Sequence, residues 1–77
     1  MLVKRSLSLA GHRTSLALEP EFWSALEAAA KRRGWPLARL VGGLDRDRDT
    51  RPLASACRVF SLQEALTAAA DREPATA

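Results

Sequence analysis

The stretch RTSLALEPEFWSALEAAAKRRGWPLARLV, Arg13 to Val41, changes its hydrophobic period once and thereby sets the fold. From Arg13 to Glu19 the residues alternate, with Thr14, Leu16 and Leu18 on one side and Arg13, Ser15 and Ala17 on the other. A period of two is that of a half-buried strand. The period then becomes helical, because Phe22, Leu26, Ala29 and Ala30 recur at i, i+4, i+7 and i+8. Glu19-Pro20-Glu21 supplies a proline that a first turn tolerates and acids that its positive end favours. Lys31-Arg32-Arg33 puts cations at the negative end, and Gly34 suits the left-handed position just past it. The basic triplet could also be a DNA patch, but dipole compensation is the commoner use and the preferred reading.

A second helix is expected from Pro36, with Leu37, Leu40, Val41 and Leu44 as its apolar stripe. Gly42-Gly43 costs about 1 kcal/mol per residue against alanine, which points to close backbone packing or an early helix end. Asp45-Arg46-Asp47-Arg48-Asp49 alternates in sign and reads as a solvated, self-paired segment. Pro52 opens a third helix, where Leu53, Ala56, Cys57 and Phe60 repeat the stripe and Leu62 and Leu66 extend it. After Ala70 the tail DREPATA reads as frayed.

Upstream of Arg13 a weaker alternation sets Leu7 and Leu9 against Ser6 and Ser8. Ala10-Gly11 could be the turn of a hairpin or the hinge of a mobile arm, so residues 1–11 are a basic arm or a short strand. Residues 12–62 form the folded unit, with its third helix from about 52, and residues 63–77 a helix extension and tail. The fold class is mainly α with one short strand. A single strand cannot satisfy its own edges and needs a partner, most simply the same strand of a second copy. A two-fold axis would pair the two strands antiparallel, bury Thr14, Leu16 and Leu18 over the helices, and make an intertwined homodimer with an intermolecular two-stranded ribbon. Such a ribbon fits the DNA major groove.

Size and charge agree with this. Seventy-seven residues make one domain, whose monomer would bury only about 60% of its unfolded surface. One Cys cannot close an intrachain disulfide, and one Cys with one His cannot supply a four-ligand zinc site, so oligomerisation is the remaining support. The net charge of +3 lies wholly in the first eighteen residues, which hold Lys4, Arg5 and Arg13 and no acid. Localised positive charge is what an anionic-surface contact requires, although a solvated basic tail would show it equally. No stretch is apolar and long enough for a signal peptide or a membrane span, so the expected setting is cytoplasmic and nucleoid-associated, with no membrane partner.

At Arg13 to Val41 the chain resembles ribbon-helix-helix DNA-binding proteins, the group that includes the Arc and methionine repressors. The flanks VKRSLSLAGHRTS and LASACRVF are similar to a subgroup of small bacterial predicted DNA-binding proteins of this class, which carries the likeness from about Val3 to Phe60. The resemblance implies that the outward strand residues Arg13, Ser15 and Ala17 contact bases. Arg13 can offer a bidentate fork to guanine O6 and N7 and Ser15 a weakly discriminating hydroxyl, while Ala17 departs from the polar residue common there and is limited to apolar contact. The family also clamps phosphate with backbone N–H groups at the start of the second helix. Here Pro36 removes the usual Ser cap and one donor, leaving Leu37 and Ala38 with Arg39 in support. Lys4, Arg5 and His12 are the further phosphate contacts.

Leu16, Leu18, Phe22, Trp23, Leu26, Leu40, Val41, Leu44 and Phe60 are the expected dimer core, and Cys57 a small buried residue. The partners implied are double-stranded DNA and a second copy, and the function a transcriptional repressor or autoregulator. The alternative is an antitoxin-like interaction module whose C-terminal helix, with LQEALTAAA, holds a partner protein. An enzyme is the least favoured class, since no nucleophile set, carboxylate pair or phosphate loop is present. Neither cofactor nor metal is expected.

Overall fold

Strand pairing begins earlier in the chain than a lone strand would require. A computed structural model describes residues 1–72, in the order β1 (Val3–Leu9), β2 (His12–Leu18), α1 (Pro20–Arg33), α2 (Leu37–Asp47) and α3 (Leu53–Arg72). The expected single strand is corrected to two, since β1 and β2 form an antiparallel hairpin whose register runs from Val3↔Leu18 to Leu9↔His12. Residues 3–9 are therefore strand and not arm, and β2 finds its partner within its own chain. The cause is local. Ala10 and Gly11 both take positive φ, 51° and 84°, which is the two-residue I′ connection whose twist matches that of paired strands.

One face of the hairpin covers the helices, with Leu9, Leu16 and Leu18 buried and Leu7 packed against them. The core continues through Trp23, Leu26, Ala29 and Ala30 of α1, Leu40 and Val41 of α2, and Cys57 of α3. Leu18, Leu26 and Val41 are fully buried inside the single chain. Trp23 replaces Phe22 as the deepest aromatic of α1, and its indole N–H donates to the Val3 carbonyl at 2.8 Å, fastening the far end of β1 to α1. Burial pushes the Cys57 thiol up to about 11. The buried Ser61 hydroxyl is satisfied by donating to the Cys57 carbonyl at 2.8 Å.

Helix α1 ends as its sequence requires. Gly34 is left-handed at φ 70°. Its N–H reaches the Lys31 carbonyl at 3.1 Å, while the Trp35 N–H reaches that of Ala30 at 2.9 Å. These two bonds are the Schellman closure. Pro36 serves as the extended residue that caps α2 and not as its first helical residue. The expectation for Gly42-Gly43 is corrected on both counts. Helix α2 runs through both to Asp47, and a Cβ at Gly42 would meet nothing within 4 Å. The buried Leu40 and Val41 outweigh the glycine propensity cost by packing the helix onto the core. The alternating-charge segment is self-paired as expected, with Asp45 accepting from Arg48 at 2.8 Å.

Helix α3 corrects two further expectations. Leu62 and Leu66 do not extend its inward stripe but stand 57% and 61% exposed. The helix also continues past Ala70 to Arg72, and the rest of the expected frayed tail lies outside the described residues. Glu64 ties α3 to the end of α1, accepting from Arg33 at 3.0 and 3.1 Å and from Arg32 at 2.9 Å. Those bonds, Arg33's first, hold its carboxyl at about 2.

Two stability outcomes follow from this architecture. A left-handed alanine is strained where Asn is at home, so Ala10→Asn should raise stability by about 1 kcal/mol. Thermal unfolding measures it, and an unchanged or lower Tm would refute the I′ assignment. Glu64→Gln should cost about 1 kcal/mol at pH 7, a value that reflects partial solvent screening. Because the folded carboxyl titrates below its ordinary value of 4.5, that contribution is complete above this pH and is lost as pH falls towards 2. Urea unfolding should separate the two proteins at pH 7 and show them converging near pH 2.

Candidate nucleic-acid interface

The pleat sorts the basic N-terminal residues onto two faces. Lys4, Ser6 and Ser8 of β1 stand across from Ala17, Ser15 and Arg13 of β2, and these six share the side turned away from the helices. All are exposed except Ala17, which is half-buried. Lys4 and Arg13 occupy opposite ends of this face. Arg13 is four positions along β2 from Ala17, the residue paired with Lys4, so the two cations sit about 13 Å apart along the ribbon. Neither makes an ion pair among the described residues. Three serine hydroxyls lie between and beside them, able to donate or accept.

Arg5, adjacent to Lys4 in sequence, points the other way. It pairs with Leu16 on the inner side, donates to Glu27 at 2.6 Å and lies over the Trp23 ring at 4.8 Å. The ion pair and the ring contact hold it against α1, so its role in the fold differs from that of Lys4. His12 is exposed at the turn end of β2, across from Leu9 and on the inner-face parity.

A second cluster forms where α1 turns into α2. The N–H groups of Arg39 and Leu40 close onto the Pro36 carbonyl at 3.0 and 3.4 Å. Those of Leu37 and Ala38 precede the first intrahelical bonds and lie at the positive end of the helix. Arg39 stacks over Trp35 at 4.3 Å, which fixes the plane of the guanidinium and leaves its edge to donate. Two cations of the neighbouring basic triplet are committed elsewhere. Arg32 and Arg33 are held by Glu64, and Arg33 also donates to the Ala29 carbonyl at 3.0 Å, which is the dipole-compensating use expected of it. Glu19, at the other end of α1, has its carboxyl lowered by its own backbone N–H and by Arg58 at 3.0 Å.

The structure thus brings Arg13, Ser15 and Ala17 together with Lys4 on one surface, keeps Leu37, Ala38 and Arg39 on a separate element, and holds Arg5 on the opposite side of the sheet. Of the residues expected to line a dimer core, Leu16, Leu18, Trp23, Leu26, Leu40 and Val41 are buried within one chain, while Phe22, Leu44 and Phe60 are half-buried. Ser6 and Ser8 were not singled out from sequence. Their signal was the weak alternation against Leu7 and Leu9, which places them on the polar face once β1 is a strand.

No curated protein and no solved structure matches the chain. The ribbon-helix-helix domain model, however, matches residues 2–65, taking in the whole hairpin, α1, α2 and much of α3. With a polar two-stranded ribbon laid over consecutive helices across that same span, the chain belongs to the ribbon-helix-helix family of DNA-binding regulators.

Proposed function

We propose that this chain is a sequence-specific DNA-binding regulator, a repressor or autoregulator, that acts as a homodimer and reads the major groove with the outer face of its β1–β2 ribbon. The observation that carries this reading is the outer face itself, where Lys4 and Arg13 lie beside Ser6, Ser8 and Ser15 without an ion-pair partner among the described residues. A two-stranded ribbon has the width that the major groove admits. Arg13 would read guanine O6 and N7 in bidentate fashion, Ser15 would contact an adjoining base edge, and Ala17 would meet an apolar group such as a thymine methyl. Lys4 and His12, with the N–H groups of Leu37 and Ala38 and the guanidinium of Arg39, would take phosphates and fix the register. Arg5 contributes by holding the ribbon to α1, since Glu27 and Trp23 already occupy it. In the described chain β2 is paired on one side only, so its second edge is open to the same strand of another copy.

Binding should weaken steeply with salt, because cations on the ribbon displace counterions from the phosphates. Arg13→Ala should cost about 1–3 kcal/mol on the preferred sequence and relax specificity at one base position. Lys4→Ala should weaken all sequences alike and flatten the salt dependence. Selection of genomic fragments by the purified protein, followed by titrations of the selected site across a salt series, checks each outcome. Binding that is absent at low salt, or indifferent to Arg13, would sink the reading.

A further inference from the structure

A groove opens where the end of α1, helix α2 and helix α3 meet. Its volume is about 490 Å³, inside the range of about 300–1,000 Å³ that small-molecule sites occupy. Trp35, Leu44 and Phe60, each half-buried, supply apolar walls. Along its α2 side stand Arg39, Gly43 and Arg46, at i, i+4 and i+7. That spacing sets the two arginines on one face of the helix, about 10 Å apart along its axis, with the glycine between them. Neither arginine has a carboxylate partner among the described residues. Arg33 also lines the groove, but Glu64 already accepts from both of its amino groups. Asp47 is the one acid in the lining, so the unpaired charge is net positive. A Cβ at Gly43 would meet the Nη2 of Arg46 at 3.6 Å, and a longer side chain would run into that guanidinium.

We propose that this groove binds a small phosphate monoester with an apolar body. Charge selects the head group. Two unpaired guanidiniums match a monoester that carries about −1.5 to −2 at pH 7, and each guanidinium can donate to its oxygens in pairs. Arg39 is already oriented, because its stacking over Trp35 at 4.3 Å holds the guanidinium plane and leaves the edge to donate. The walls select the rest of the ligand, since an apolar body removes the surface of Leu44 and Phe60 from water. A duplex phosphate has no such body, so the groove favours a free ester. Asp47 accepts a hydroxyl or N–H carried by that ester. Gly43 thereby gains a use that offsets its cost of about 1 kcal/mol in a helix, because its missing side chain is the floor of the site. Arg39 is also among the phosphate contacts of the proposed function, so an ester that engages its edge competes with DNA for it. That coupling rests on the regulator reading; binding in the groove does not.

Calorimetric titration of the full chain without DNA, with phenyl phosphate as the probe, should give one site per chain. Phenyl phosphate should bind about tenfold tighter than inorganic phosphate, in line with the apolar surface that its ring buries. Arg46→Gln should weaken the probe about tenfold or more, the loss expected of a hydrogen bond to a charged group. Arg46 takes no part in the proposed DNA contacts, so the same variant should keep the wild-type melting and the wild-type DNA affinity without ligand. Gly43→Leu should abolish probe binding by filling the floor, yet fold at least as stably, because leucine is the better helix former. In gel shifts the probe should weaken DNA binding by the wild-type chain and not by Arg46→Gln. No binding of phenyl phosphate at millimolar concentration overturns the proposal. So does inorganic phosphate that binds equally well, or an Arg46→Gln chain that keeps the wild-type affinity for the probe. Probe binding in a chain that fails to bind DNA would count against the regulator reading alone.

Discussion

Everything in this chain hangs on one pairing, that of Val3–Leu9 with His12–Leu18 through a two-residue turn in which both residues have positive φ. The turn fixes the register, and a shift of one residue would exchange the two faces of each strand. In the observed register Leu7, Leu9, Leu16 and Leu18 meet the helices, and Lys4, Ser6, Ser8, Arg13 and Ser15 meet solvent. Trp23 then secures the end of β1 farthest from the turn, so the ribbon is held at the turn by backbone geometry and at the other end by an indole hydrogen bond. The helices supply the floor on which this arrangement rests.

Much of this was legible in the residues. The period change at Glu19, the proline and glycine that bound α1, and the stripe of α3 through Phe60 each express a local physical preference, and each element formed where that preference placed it. What could not be read locally was whether Leu7 and Leu9 were strong enough to make a strand. Ala at the first turn position lacks the Asn-Gly signature, so the hairpin signal is weak, and the decision lies in packing against Trp23 and α2. Gly42-Gly43 misled for a related reason, since helix propensity is a small term beside the burial of Leu40 and Val41. The outer-face residues Arg13, Ser15 and Ala17 were readable from alternation. Arg5 was not, because its partner Glu27 is 22 residues away in sequence.

That last point reshapes the charge argument. The basic excess of the N-terminal segment looked uniform along the sequence, yet the strand's pleat divides neighbouring cations between opposite sides of the sheet. Lys4 and Arg13 project outward, and Arg5 is neutralised against α1. Similarly, the triplet Lys31-Arg32-Arg33 is a strong basic run in sequence but yields two of its charges to Glu64. The electrostatic character of the surface follows from which arginines find carboxylates, and the composition alone conceals it.

The intrachain hairpin also has a consequence in mass action. A ribbon folded within one polypeptide exists at every protein concentration, whereas any pairing of two ribbons is bimolecular. In the proposed role, a dilute chain would already present its face to phosphates and hold DNA weakly and without regard to sequence. Occupancy of that loose mode rises in proportion to concentration. Occupancy of a paired site, which needs two chains, rises with its square until the dimer saturates. The abundance of the protein thereby becomes an input in its own right, favouring search when the chain is scarce and commitment to paired sites when it is plentiful.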